Sequence, residues 1–333
     1  MTRGSRWAIV GTGTIATRMA TDLASDLTAA RHVATLSRDR ERAREFGARF
    51  GSDAGAYHDV DELVRDAVPD VAYIATPHTA HAEAARAFLD RGVAVLVEKP
   101  MACTAAEAAA LFGHARARGV YLCEAMWTRF NPVVRALHEE LQSGAIGTVQ
   151  SVRTGQGFAI PFDPTTRMWN PSVAGGAALD MSCYAFAIGV MAYGALRIDH
   201  VSAAFAPNGV DAEATVDYVG LGGGEGRAEW SFVRAIAAAA ELEGTDGSAH
   251  LLAPFQRTAG LRIDGLRADG HRHVVIEQPL RGEGFVPMID IVSREVDEGR
   301  LTSRIMPPEE SLTIAAATDQ VLDALAGLKE GGR

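Results

Sequence analysis

Short apolar runs alternate with amphipathic, alanine-rich stretches from residue 1 to 125. The runs at 7–10, 32–36, 71–75, 93–97 and 120–123 read as strands, since a few consecutive apolar residues between polar turns suit a strand buried on both faces. Between them, 14–27, 40–50, 59–67, 79–90 and 104–118 carry apolar positions at helical spacing. Strands alternating with helices imply a parallel sheet with right-handed crossovers, so this half is expected to be an α/β, doubly wound domain. After Asn131 the rhythm changes. A helix at 132–143 opens on Pro132, where proline is well tolerated. Alternating segments follow at 149–155, 201–205, 214–221, 226–233, 237–244, 248–252 and 273–277, with Gly222-Gly223-Gly224 as a hairpin loop. One helix, 176–191, interrupts them, and helices at 285–298 and 309–328 end the chain. The pattern predicts an α+β second domain, 126–333, with a large, mostly antiparallel sheet, the last helix belonging to it or packing back on 1–125.

Composition narrows the classes. The 333 residues are 47% hydrophobic and 22% charged, as in ordinary globular proteins. Lys and Arg number 32 against 42 Asp and Glu, a net charge of −10 that disfavours nucleic acid and acidic membrane partners. No apolar stretch reaches the ~20 residues of a membrane span. Met1 to Arg6 lead straight into a strand, so no secretory signal is expected. Cys103, Cys123 and Cys183 have no metal-ligand spacing and cannot all pair, which suits a reducing cytoplasm. Each reads as a small buried hydrophobe, and no metal is expected.

The chemistry gathers at one sheet edge. Gly11-Thr12-Gly13-Thr14-Ile15-Ala16 follows a strand and opens a helix within a βαβ unit, the context that makes G-x-G-x-x-G/A a dinucleotide fingerprint. Gly11 allows the tight turn, Gly13 lets a pyrophosphate approach the backbone, and Ala16 lets helix and strand pack closely. The helix start offers free N–H groups to phosphates. An NAD site usually carries Asp or Glu at the end of the second strand. Here stand Ser37 and Arg38, with Arg42 one turn further, which suits a 2′-phosphate, so NADP is preferred and NAD remains possible. The other reading of Arg38 and Arg42 is a solvated helix face paired with Glu41 and Glu45. Thr76-Pro77-His78-Thr79-Ala80-His81 follows the strand at 71–75, close to where a dinucleotide would lie. His78 and His81 either touch the nicotinamide ribose or cap and pack. Glu98-Lys99-Pro100 closes the strand at 93–97 and puts an ammonium at the carboxyl edge, where open α/β sheets bind ligands. Lys99 is either an acid/base group there or half of an ion pair with Glu98 or another carboxylate.

Asp180 and Tyr184 are four apart and share a helix face. Beside a lysine they can relay a proton from a substrate hydroxyl, the ammonium favouring phenolate. Alternatively Asp180 offsets the helix dipole and Tyr184 fills core.

The glycine loop, Ser37-Arg38, residues 76–81, Glu98-Lys99-Pro100 and residues 175–184 occur in an order that resembles the glucose–fructose oxidoreductase / inositol dehydrogenase (Gfo/Idh/MocA) family. Glu124-Ala125-Met126-Trp127-Thr128-Arg129-Phe130-Asn131-Pro132 resembles its branch of dimeric dihydrodiol dehydrogenases and NADP-dependent D-xylose dehydrogenases. The resemblance implies a Rossmann domain, then an open-faced sheet domain that binds substrate and dimerises. It implies that Lys99 sits beside the nicotinamide and contacts the reacting hydroxyl, that the bond to Pro100 is often cis, that Tyr184 accepts the proton and that Asp180 orients substrate or tyrosine. Trp127 would wall the pocket, with Phe158, Phe162 and Phe285 as further candidates. Two departures stand out: Ser182 where the family commonly has glycine, and Ala178 where leucine is usual. Both point to a reshaped pocket or a looser approach of the helix to the cofactor. The implied activity is an NAD(P)-dependent oxidoreductase taking hydride from a hydroxyl-bearing carbon of a sugar, polyol or vicinal diol. The rivals are a dinucleotide-dependent glycoside hydrolase or lyase with transient oxidation, and a non-catalytic dinucleotide sensor. The family's usual homodimer through the open sheet is expected.

Overall fold

The computed structural model describes residues 4–50, 53–267 and 270–331, so the extreme ends of both expected domains lie outside it. The chain divides into two compact units: residues 1–130 with 280–311, and residues 131–279 with 312–333. The stretch 280–311, expected in the second domain, groups with the first.

The chain order of the first unit is β1 (Arg6–Val10), α1 (Thr14–Leu23), β2 (Arg31–Leu36), α2 (Arg40–Ala48), β3 (Gly55–Tyr57), α3 (Val60–Ala67), β4 (Val71–Ile74), α4 (His81–Leu89), β5 (Ala94–Glu98), α5 (Ala105–Arg118), β6 (Leu122–Ala125) and a single turn, α6 (Trp127–Phe130). Its six strands pair in parallel in the order β3-β2-β1-β4-β5-β6. The direction of winding reverses between β1 and β4, so the loops leaving those strands flank the crevice where a doubly wound sheet binds its ligand. Every residue of β4, β5 and β6 is buried, the carboxylates Glu98 and Glu124 included. Lys99–Pro100, just past β5, is a cis peptide.

The second unit begins with α7 (Pro132–Gln142), capped by Asn131. It continues with β7 (Val149–Gly157), α8 (Ala177–Tyr193), β8 (Leu196–Phe205), β9 (Asp211–Gly220), β10 (Glu225–Ser231), β11 (Ala240–Gly244), β12 (Gly247–Leu251), β13 (Gly260–Arg267) and β14 (Gly270–Glu277). These eight strands form one sheet, β14-β13-β12-β11-β7-β10-β9-β8, in which β7 and β10 run parallel and the other neighbours antiparallel. Helix α8 packs on β7, β9 and β10 and buries nearly all of its length, while β9 alternates fully and partly buried positions, one sheet face toward the helix. Two helices close the chain. Helix α9 (Val286–Asp297) packs on α1 and α6 in the first unit. Helix α10 (Pro308–Gly331) begins in the first unit and continues in the second.

The fold class is the one expected; several element limits are not. Strand β3 has three residues and no apolar alternation to announce it. Strand β13 carries its inward residues as Leu261 and Ile263 beside Gly260 and Gly265, which dilute the signal. The helix expected at 14–27 stops at Leu23, and the one at 79–90 is a 3-10 turn, His78–Ala80, followed by α4.

Candidate active site

In the first unit, the glycine turn is built by backbone demands. Gly11 has φ +113°, and a Cβ there would lie 2.5 Å from the Ala75 carbonyl oxygen, so no other residue fits. Gly13 is different: a Cβ on it meets nothing within 4 Å. Packing inside the unit does not require that glycine, whereas a pyrophosphate drawn against the helix start does. Gly13 also serves as N-cap of α1 without a side chain, and the first turn has no acidic residue, so the free N–H groups face no competing carboxylate. Ala16 is wholly buried; Thr12 and Ile15 are half-buried and Thr14 exposed. At the end of β2, Ser37 donates its amide to the Tyr57 carbonyl, and Arg38 and Arg42 are exposed. Among the described residues neither arginine forms an ion pair; Glu41 pairs with Arg44 instead. The residues at the glycine turn and after β2 thus fit a dinucleotide, including one with an extra phosphate.

The loop after β4 is tied to the cis peptide by His81. That imidazole is fully buried, with Nδ1 2.9 Å from the Pro100 carbonyl oxygen and Nε2 2.9 Å from that of Thr76. Both ring nitrogens are engaged by backbone, which is the packing alternative for this side chain. His78 is buried and meets His81 edge to face, while Pro77 starts the 3-10 turn. The Glu98 carboxylate points into the sheet: it accepts from the Tyr73 hydroxyl and, at 3.1 Å, from the Lys99 amide. Lys99 is 8% exposed. A second carboxylate, Glu124 on β6, accepts from the Met101 amide at 3.0 Å. Burial pushes Glu124 above the usual carboxylate range, and the Met101 amide and the Lys99 charge pull it back. Trp127 and Phe285 stack with ring centroids 5.2 Å apart, and Gly284 leaves the space that the indole occupies, since a Cβ there would lie 2.9 Å from it.

In the second unit, α8 carries Asp180 in its first turn and Tyr184 one turn on. Asp180 is paired with Arg167 at 3.4 Å, and Tyr184 is 9% exposed. Gln156, buried on β7, donates to the Met181 carbonyl at 2.9 Å and fixes the turn between them. Ser182 is fully buried and bonds Thr318 of α10 at 3.0 Å. Its hydroxyl thus serves helix packing inside this unit. Phe158 and Phe162 form one cluster with Trp169 and Phe232, and both are more than 40% exposed. Arg167, Gln156 and Trp169 were not foreseen. Arg167 and Trp169 lie in a single 3-10 turn, too short to show a periodicity, and Gln156 looks like any polar strand residue.

A parallel sheet with this strand order, a glycine turn that leaves a helix start open, and a buried lysine at the sheet's carboxyl edge define a dinucleotide-dependent oxidoreductase. Sequence comparison agrees. The model of an oxidoreductase family with NAD-binding Rossmann fold (GFO_IDH_MocA) matches residues 5–125, and that of the GFO/IDH/MocA C-terminal domain matches residues 134–250. The chain belongs to the Gfo/Idh/MocA family and is an NAD(P)-dependent dehydrogenase, as the motifs implied. It is 38% identical over 249 residues to trans-1,2-dihydrobenzene-1,2-diol dehydrogenase of Mus musculus, covering 74% of each chain. It is 27% identical to the D-xylose 1-dehydrogenase (NADP(+)) of Hypocrea jecorina, across 95% of this chain and 91% of that one. The fold matches that of aldose-aldose oxidoreductase from Caulobacter crescentus, with TM-score 0.83, 20% identity and 99% of each chain covered. No helix among the described residues is long and apolar enough to cross a membrane.

Proposed function

We propose that the protein oxidises a secondary or hemiacetal hydroxyl on a sugar, polyol or vicinal diol, with NADP as its preferred acceptor. The bound nicotinamide supplies the hydride-accepting carbon. Lys99 holds the reacting hydroxyl and favours its deprotonated form; Tyr184, as the phenolate that the ammonium favours, takes the proton; Asp180 orients the substrate or the phenolate. Burial of Lys99 and Tyr184 keeps water from competing for the proton. Ser37, Arg38 and Arg42 would receive the 2′-phosphate, and the start of α1 the pyrophosphate. The carrying observation is that Asp180 and Tyr184 share a helix face within a chain that has its lysine at the sheet edge of an NAD(P)-binding domain. The named activities of the two relatives, on a diol and on an aldose, support the substrate class. A cytoplasmic homodimer formed through the open face of the second sheet completes the reading.

The test is a panel of aldoses, inositols and diols assayed by absorbance of reduced nicotinamide with NADP and with NAD. Lys99→Ala and Tyr184→Phe should each lower turnover at least ~100-fold, the lower end of what general acid–base help supplies, with NADP binding nearly intact. Full turnover in both would remove the mechanism.

A further inference from the structure

We propose that Asp211, at the start of β9, is a positioning residue that clamps the amino end of α8 and so fixes where Asp180 and Tyr184 point. The proposal rests on the catalytic reading of those two side chains. A helix start leaves N–H groups without partners, and a side-chain cap normally takes some of them. Helix α8 cannot cap itself: its N-cap is Gly176. Asp211, 33 residues beyond Ala178, supplies the cap from the sheet. Its Oδ2 accepts from the Ala178 amide at 2.6 Å, and the Ala177 amide also donates to the carboxylate. The fit is close. Gly176 sits at φ +138°, and a Cβ on it would lie 2.2 Å from Asp211 Oδ1. Glycine is therefore needed at 176 both for the backbone angle and to admit the carboxylate.

The clamp grips the turn that carries Asp180, and Tyr184 lies one turn beyond on the same rigid rod. A tilt at the cap would move both side chains together, and small displacements of reacting groups are costly. The carboxylate also answers the positive end of the helix dipole. Its surroundings are sparse in charge. Lys329 on α10 bears on it. On α8, Asp180 is engaged by Arg167. On β8 the residue opposite is Phe205, and along β9 Glu213 is taken by Ser231 and Arg234. Burial outweighs the donors and pushes the carboxyl up to about 6. As the pH falls through that value, the clamp loses its charge and holds the two amides less well.

The test is Asp211→Asn, which keeps the shape and one acceptor oxygen but cannot titrate, together with Gly176→Ala, which crowds the intact carboxylate. With folding checked by circular dichroism, each is expected to lose roughly tenfold in kcat, the scale of a lost cap, with KM for NADP unchanged. The parent is expected to lose kcat below about pH 6, and Asp211→Asn to lack that decline. If Tyr184→Phe is inactive but both variants keep parental kcat and pH profile, the clamp is overturned and the catalytic reading survives; if Tyr184→Phe is fully active, the catalytic reading itself has failed. Should the variants not fold, hydrogen exchange on the parent protein decides. After correction for intrinsic rates, protection of the Ala177 and Ala178 amides should fall several-fold between pH 7.5 and 5, and equal protection would overturn the clamp.

Discussion

The hydroxyl of Tyr73 on β4 donates to the Glu98 carboxylate on the neighbouring strand β5, immediately before Lys99. Both side chains are buried, so the bond lies where water cannot replace it. Tyr73→Phe removes that donor and leaves the carboxylate in place. The expected cost is about 1–3 kcal/mol, read as a melting temperature lower by several degrees. An unchanged melting temperature would show that the phenol contributes nothing to holding Glu98.

The two glycines of the cofactor turn should separate folding from binding. Gly11→Ala drives a methyl group to 2.5 Å from the Ala75 oxygen at a left-handed backbone angle, and it should destabilise the chain by more than about 1 kcal/mol. Gly13→Ala meets no atom within 4 Å and should leave the melting temperature alone. It should nonetheless raise KM for NADP and NAD together by about tenfold or more, because the methyl group stands where the pyrophosphate must approach. Parental KM values for Gly13→Ala would place the dinucleotide elsewhere.

Arg38 and Arg42 pair with no acid among the described residues, which leaves their charges available to a phosphate. A charge-assisted contact is worth about 1.5–3 kcal/mol, or roughly 10- to 100-fold in affinity. Arg38→Ala should raise KM for NADP by that factor and change KM for NAD little. Steady-state kinetics with both cofactors decides it: an equal effect on the two would show that Arg38 does not read the 2′-phosphate.

Local pattern made most of the first sheet legible, because its central strands are apolar runs such as Val93-Ala94-Val95-Leu96-Val97. The glycine motif was legible because its spacing between a strand and a helix is itself the signal. What escaped was set by partners distant in sequence. Nothing near His81 shows that its two nitrogens will meet the carbonyls of Thr76 and Pro100. Asp211 caps a helix that begins 34 residues before it, so no capping signature precedes α8. The return of 280–311 to the first unit was hidden too, since it depends on Asp22, buried in α1, accepting from the Glu283 and Phe285 amides.

His32 on β2 gives the fold a pH dependence of calculable sign. The ring is 7% exposed, packs edge-on against Phe46, and has Nε2 3.0 Å from the Ala34 carbonyl oxygen. Burial pushes its pKa down from 6.5 to about 4. Between those values the unfolded chain binds a proton that the folded chain refuses. Stability from this group is therefore complete above about pH 6.5 and declines as the pH falls toward 4. From pH 7.5 to 5 the loss should be about 2 kcal/mol. His32→Gln cannot titrate, so its urea-unfolding free energy should fall less over that interval, by about the same amount. A variant that loses as much stability as the parent would show that His32 is already protonated inside the fold.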